Sequence, residues 1–475
     1  MNTDVTRADI ANTSPATRRG RTLIAFIAIA AFGPYLAPGI RTEQTAVYLA
    51  ALLLLAAGSW VGIRLTGAGL VAVALHGGIV AVALLGVVLP PPNLTLHKPA
   101  DLSAGLDNLL LPLAVVSVVA MLAGLGADRA VMLRTVCRVT VWAMVINVGM
   151  AVASMGDAGT PRFLLIWRLG GDGESVADRA EQLGRYSGMF NQPAEAGLLY
   201  SVALIAAVYL YRSQPVRLAV VSLILAIGGA LCVSKVALLV GLPVAVWQVM
   251  RLSTGWWRRT TTLAVAGAAL MVAADMGMLP RWEGMDFLLR LIPASGTDQD
   301  LVGLYTAGRV GDSSSLSEII GVVASTDLWT GVGAAGLRLP YDNGWVEALV
   351  VAGIVGVVLQ TLLLVTLTAA WLAARSRCPE SPLAGGLVAV VVGASFGLPA
   401  LTANRAATIV WLMLALLLIV HGDGDTRSRW WLRSGRGRHR DGIPPGLPSR
   451  PRRPQAPAWA RRAPSAPGAK ASHSH

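Results

Sequence analysis

Twelve apolar runs, each about as long as a bilayer is thick, succeed one another through residues 22–421. A spanning helix takes about 20 mostly apolar residues, so twelve of them use nearly the whole hydrophobic stock of the chain. Residues that are 54% hydrophobic and only 14% charged contrast with the roughly 25% charged residues of soluble domains. That balance argues against a water-soluble enzyme. The expected architecture is an all-α polytopic membrane protein of about twelve transmembrane helices.

The runs lie near 22–40, 45–63, 68–90, 108–126, 138–155, 195–211, 218–232, 236–250, 261–279, 345–373, 383–400 and 406–421. Residues 1–21 are polar and end in Arg18, Arg19 and Arg21. No small-residue cleavage site follows, so the first run reads as an uncleaved helix. The pair 218–232 and 236–250 reads either as two short spans or as one kinked span. Lys and Arg are retained on the cytoplasmic side of a membrane. With the N-terminus inside, the inner connections carry Arg64, Arg129, Arg134, Arg138, Arg212, Arg217, Arg251, Arg258, Arg259, Arg375 and Arg377 against two acids, Asp128 and Glu380. The outer stretch 280–344 instead has four Arg and eight Asp/Glu. The asymmetry favours two spans in the doubtful pair and places both termini in the cytoplasm. Arginine outnumbers lysine 36 to 3, a bias of GC-rich bacterial genomes, so the bacterial inner membrane is the expected location.

The domain plan is therefore a cytoplasmic N-terminus (1–21), a membrane domain (22–421) and a basic tail (422–475) that is expected to be disordered. The net charge of +13 owes most to that tail, which holds twelve Lys/Arg against three Asp. Such a tail is attracted to anionic membrane lipids and gives no reason to expect a nucleic-acid partner. Cys137, Cys232 and Cys378 are scattered without a paired spacing, so neither a disulfide framework nor a zinc site is expected. Among outer connections, 91–107, 156–194 and 280–344 are long, and 401–405 is short. Long loops are commonly functional. Phe163, Leu164, Leu165, Ile166 and Trp167 in one, and Leu316, Ile319, Ile320, Val322 and Val323 in another, predict ordered elements lying on the membrane. The second set predicts a short amphipathic helix capped between Asp312 and Ser315.

Histidine is nearly missing from the outer face, where His97 is the one candidate, and His76 lies within an apolar run. That disfavours a Ser-His-Asp hydrolase or a histidine-ligated metal there. No Walker A, His-Glu-x-x-His or Gly-x-Gly-x-x-Gly pattern occurs, so no cofactor or metal is expected. The outer loops offer arginines beside Gly, Asn and Pro. Arg179 and Arg185 either hold an anion, for which a guanidinium fork is suited, or pair with Asp178 and Glu181. Lys235, Glu195, Asp275 and Glu347 are ionisable groups within or at the edge of apolar runs, where such groups tend to face a cavity or a partner. Glu195 and Glu347 each open a helix, and stabilisation of a carboxylate by a helix N-terminus accounts for both equally well.

Gly184-Arg185-Tyr186-Ser187-Gly188-Met189-Phe190-Asn191-Gln192-Pro193, followed by a helix, resembles the first arginine motif of the O-antigen ligase/polymerase superfamily. Ser234-Lys235 is similar to its Ser-Arg pair. Arg309, ahead of an amphipathic helix and the Trp329-Thr330-Gly331-Val332-Gly333 turn, resembles its second loop arginine and Gly-x-Gly. Tyr341-Asp342-Asn343-Gly344-Trp345 is similar to its His-Asn motif. The resemblance covers about 180–370, with the motifs in the family's order.

The resemblance implies a GT-C-like transferase that joins glycan units from a polyprenyl-diphosphate-linked donor to a glycan acceptor at the outer face. Arg185, Arg309 and Lys235 would bind the diphosphate, whose developing charge calls for fixed cations. Asp342 and Glu195 would be the catalytic carboxylates, with Asn343 and Asn191 positioning acceptor or loop. The family ligases carry histidine where this chain has Asp342, whose ordinary pKa of about 3.9 makes it a weak base. That departure favours a polysaccharide polymerase over a lipid-A-type ligase. The alternative is a lipid-linked oligosaccharide flippase or another multi-pass transporter. Transporters commonly show two related halves, and none is visible in this sequence.

Overall fold

The computed structural model describes residues 14–37, 39–59, 65–89, 102–155, 162–168, 176–251, 284, 315–334, 343–375 and 378–419. The expected helix at 261–279, with Asp275, lies outside the described residues, as do Arg309, Asp342, His97 and the 422–475 tail. The described helices are α1 Pro15–Ala30, α2 Thr42–Ala56, α3 Gly67–Val88, α4 Leu102–Gly124, α5 Arg129–Met155, α6 Leu165–Arg168, α7 Val176–Gln182, α8 Pro193–Tyr211 and α9 Pro215–Leu231. A π-helical segment, Val236–Gly241, runs into α10 Leu242–Arg251; then come α11 Ser315–Thr326, α12 Gly344–Ala374, α13 Ser381–Ala394 and α14 Asn404–Leu418. Five of these (α3, α4, α5, α8 and α12) are long and apolar enough to cross a membrane. The molecule is an all-α membrane protein; among the described residues Tyr35–Ala37 (β1) and Ile40–Arg41 (β2) also pair antiparallel in a hairpin.

Local chemistry explains where the helices depart from the apolar runs. α1 begins before its run because Ser14 Oγ accepts the Thr17 amide at 3.2 Å and Pro15 occupies the first helical position, where its missing N–H costs nothing. It ends inside the run, ahead of Gly33-Pro34, and the remainder becomes the hairpin. The doubtful pair proves to be two helices, α9 and α10, parted by the turn 232–235. The predicted amphipathic helix is α11, whose buried Val323 packs with Val332, Val346 and Val350.

Helix ends that charge assigns to one side also meet in space. At one end Arg41 contacts Asp107, Asn191 contacts Tyr35, Glu195 contacts the Arg405 amide, and Gly344 contacts Ser395. At the other, the Asp128 amide reaches Thr17, Thr66 binds the Leu418 carbonyl, Arg129 pairs with Glu380, and Gln248 binds the Pro382 carbonyl. α8 is central and buried on nearly every side. Its Ala196, Gly197, Ser201, Ala203 and Ala207 are small, which lets neighbouring backbones approach closely where no aqueous hydrophobic drive operates. α9 shows the peripheral pattern: Val221, Leu225 and Gly228 face inward while Val216, Val220, Leu223 and Ile227 stay exposed. Both faces are apolar, as a lipid-facing helix requires.

α12 is broken within its apolar span, at Ala352 and Gly353, the latter with φ +60°. The segment 328–333 fills the gap. Val332 N donates to Val350 O at 2.6 Å, Ile354 N to Leu328 O at 2.9 Å, and Val355 N to Trp329 O at 3.3 Å. Backbone without helical bonds survives at membrane depth only where protein satisfies it, and the loop does this here. Asp327 holds the loop's entry, accepting the Trp329 and Thr330 amides at 2.9 and 3.0 Å and the Thr330 hydroxyl at 2.5 Å. Those bonds, the Thr330 hydroxyl first, pull the Asp327 carboxyl below the ordinary aspartate range.

Candidate functional site

The first arginine motif is a built structure. α7 ends in a Schellman turn: Gly184 N donates to Glu181 O at 2.9 Å and Arg185 N to Ala180 O at 2.9 Å. Such a turn needs a left-handed residue, and Gly184 supplies it at φ +69°. Tyr186 N then binds Leu231 O at 2.9 Å, tying the loop to the end of α9. Asn147, fully buried on α5, accepts the Met189 amide at 2.8 Å and donates to Ser187 O at 3.2 Å and to the Tyr200 hydroxyl at 3.0 Å. Arg168 donates to Gly188 O at 3.0 Å and pairs with Asp178 at 3.2 Å and Glu181 at 2.5 Å. Asp178 and Glu181, the loop acids weighed as partners for Arg179 and Arg185, both contact Arg168. In the same loop Leu164 and Arg168 turn inward, whereas Phe163, Leu165 and Ile166 remain exposed, the amphipathic arrangement expected of an element lying on a membrane.

The backbones that carry Arg185 and Lys235 meet at the end of α9: Tyr186 N is bonded to Leu231 O, and Lys235 opens the π-helical segment that follows. Between them Val233 has φ +47°, an uncommon conformation for a β-branched residue. Backbone strain and π-helical turns both concentrate at functional sites. Ser234 is pressed against Gly197, where any Cβ would stand 1.7 Å from its hydroxyl oxygen, so the junction sits on the first turns of α8.

Glu195 belongs to a different cluster. It is 3% exposed, and its Oε1 accepts the Arg405 backbone amide at 3.1 Å, so it caps α14 from outside. Arg405, 2% exposed, donates to Met189 O at 2.9 Å and Trp167 O at 3.3 Å and lies 4.9 Å from the Tyr35 ring centroid. Asn191 donates to the Tyr35 hydroxyl at 2.8 Å. Burial raises the pKa of that phenol. Arg41 contacts Glu43 at 3.1 Å, Asp107 at 3.0 Å and Asn108 at 2.8 Å. Burial opposes the Arg41 charge, but Glu43 and Asp107 outweigh it and hold its pKa above the ordinary value. Gln44 and Tyr48 also donate to Asp107. This network locks the loop 185–193 to the hairpin and to α14.

Asn343 caps α12, accepting the Trp345 and Val346 amides at 2.8 and 3.3 Å, and donates to Phe396 O at 3.4 Å. One turn on, Glu347 accepts the Thr402 hydroxyl and lines a small cavity with His76, Gln360 and Leu109. Arg309 and Asp342, assigned to diphosphate and base, lie outside the described residues. Sequence reasoning singled out Arg185, Lys235, Glu195, Asn191 and Asn343 but missed Arg41 and Arg405. The available signal was arginine standing on the acid-rich side of the chain. Arrayed this way, the Arg185–Lys235 junction has the charge to hold phosphate oxygens, while the Glu195–Arg405 network supports it. The chain matches no protein-family model and no curated protein sequence.

Proposed function

We propose that this protein transfers or polymerises glycan repeat units from a polyprenyl-diphosphate-linked donor at the outer face of a bacterial inner membrane, through a twelve-span domain with both termini cytoplasmic. The observation that supports the reading is the tie of the Arg185 loop, through Tyr186 N, to Leu231 at the strained turn that leads into Lys235. In the reaction an acceptor hydroxyl oxygen bonds to the anomeric carbon. The bond from that carbon to the diphosphate breaks, the diphosphate leaves with the electron pair, and the hydroxyl proton passes to a base. Arg185, Lys235 and Arg309 neutralise charge growing on the leaving group. Asp342 remains the candidate base, and Glu195, already occupied by the Arg405 amide, takes a positioning role.

The test is polymer formation by Arg185→Ala and Arg309→Ala at unchanged membrane abundance. Losing one fixed donor to a developing anion costs about 100-fold or more, and lysine at either position recovers little because the fork is lost. Long-chain product from both alanine variants would refute the reading. One observation favours the flippase alternative: α12 is discontinuous at Ala352–Gly353, and transporters bind substrates at broken helices. The sidedness of accumulated lipid-linked intermediates in a deletion strain separates the two. Single repeat units exposed on the outer leaflet mark a polymerase defect, and units trapped inside mark a flippase defect.

A further inference from the structure

On the arginine-rich end of the bundle, a groove of about 590 Å³ opens between α5 and α9. Trp142 and Val145 of α5 line it opposite Arg217, Val220, Val221 and Ile224 of α9. Along α9 the lining runs from the cation to aliphatic surface, with an aromatic ring contributed by α5. That is the profile of a bilayer from headgroup to acyl chain. The Arg217 guanidinium carbon lies 4.4 Å from the Tyr211 ring centroid and 6.0 Å from that of Trp142, a cation held in place over aromatic faces. No acidic residue lines the groove among the described residues. α9 begins here with Pro215 at its first position and no side-chain cap, so the positive end of the helix adds to the same field.

We infer that this groove is a binding site for an anionic diacyl phospholipid, with the phosphate against Arg217 and an acyl chain along Val220, Val221 and Ile224. The charge pattern selects the occupant: a cationic rim over an apolar trough matches a lipid with an anionic head, and basic pockets between spanning helices bind such heads. The site is far from the Arg185 junction in the chain's vertical order, because α9 begins at Arg217's end and finishes at Leu231. The inference stands whether or not the transferase reading does.

The test is native mass spectrometry of the full-length protein with phosphatidylglycerol or with phosphatidylcholine of identical chains. Wild type should retain phosphatidylglycerol preferentially. Arg217→Ala should lower that retention about fivefold, the equivalent of about 1 kcal/mol per basic residue near the surface, and leave phosphatidylcholine unchanged. Val220→Trp, at a position 52% exposed, keeps the charge but fills the trough and should lower retention of both lipids. Arg375→Ala, at the same end but outside the groove, should change nothing. Unchanged retention in both Arg217→Ala and Val220→Trp, or an equal loss in Arg375→Ala, would overturn the assignment. So would displacement of phosphatidylglycerol by an equal concentration of undecaprenyl phosphate, which would make the groove a donor-lipid site.

Discussion

Replacing Glu195 separates a capping carboxylate from a catalytic one. Its side chain accepts the Arg405 amide at 3.1 Å within a buried network that includes Arg41, Glu43 and Arg405. Glu195→Ala strands that amide, which costs about 1–3 kcal/mol, and leaves a cavity where a side chain only 3% exposed stood. Truncating a buried side chain of this size to alanine costs about 2–5 kcal/mol, and the two terms overlap, so the expected loss is about 3–5 kcal/mol in all. Glu195→Gln keeps an acceptor oxygen in the same place and loses only the charge, so its cost should be about 1–2 kcal/mol. Cys137 and Cys232 are fully buried free thiols, and a thiol-reactive fluorogenic dye reports their exposure on heating the detergent-solubilised protein. At roughly 2 °C per kcal/mol for a large domain, the alanine variant should melt about 6–10 °C low and the glutamine variant about 2–4 °C low. Glycan transfer by the glutamine variant should persist. The reasoning is refuted if glutamine is as damaging to the fold as alanine, or if it abolishes transfer while leaving the melting midpoint unchanged.

Gly353→Ala should destabilise by about 2–4 kcal/mol, because the site needs φ +60° and a Cβ would stand 2.3 Å from the Trp329 carbonyl; Gly149→Ala, which meets no atom within 4 Å, should cause no loss in the same dye assay. Asp327 is depressed in the fold, so its stabilising effect is complete above the unfolded carboxyl pKa of about 3.9 and fades as pH falls through its lower folded value. Hydrogen-exchange protection of the Trp329 and Thr330 amides, corrected for intrinsic rates, should therefore decline on acidification, and Asp327→Asn should flatten that dependence.

Much of the scaffold was legible in one dimension. Apolar runs located the described helices, five of them long and apolar enough to cross a membrane, because helix formation in lipid depends on composition along the chain. Gly184 and Pro193 bracket the motif loop for local reasons, a left-handed turn and a first helical position, so its boundaries were readable too. The hairpin inside the run 22–40 was not, because Tyr35 and Ile40 are as apolar as a helix needs and only their pairing distinguishes them.

The partners of buried charge were beyond reach of pattern. Arg41 and Arg405 acquire their partners only in the fold, which sets them beside Glu43, Asp107, Glu195 and Tyr35. The break in α12 is equally invisible in Val350-Val351-Ala352-Gly353-Ile354, since glycine within an apolar helix is ordinary. It exists because the segment 328–333, distant in the chain, supplies the hydrogen bonds that the helix gives up. By itself the amino-acid order determined that this chain enters a membrane as helices and which ends lie together, since burial in lipid is a property of each segment alone. Tertiary structure decided which charges neutralise one another and where a helix could afford to break, since both depend on groups that only folding brings within bonding distance.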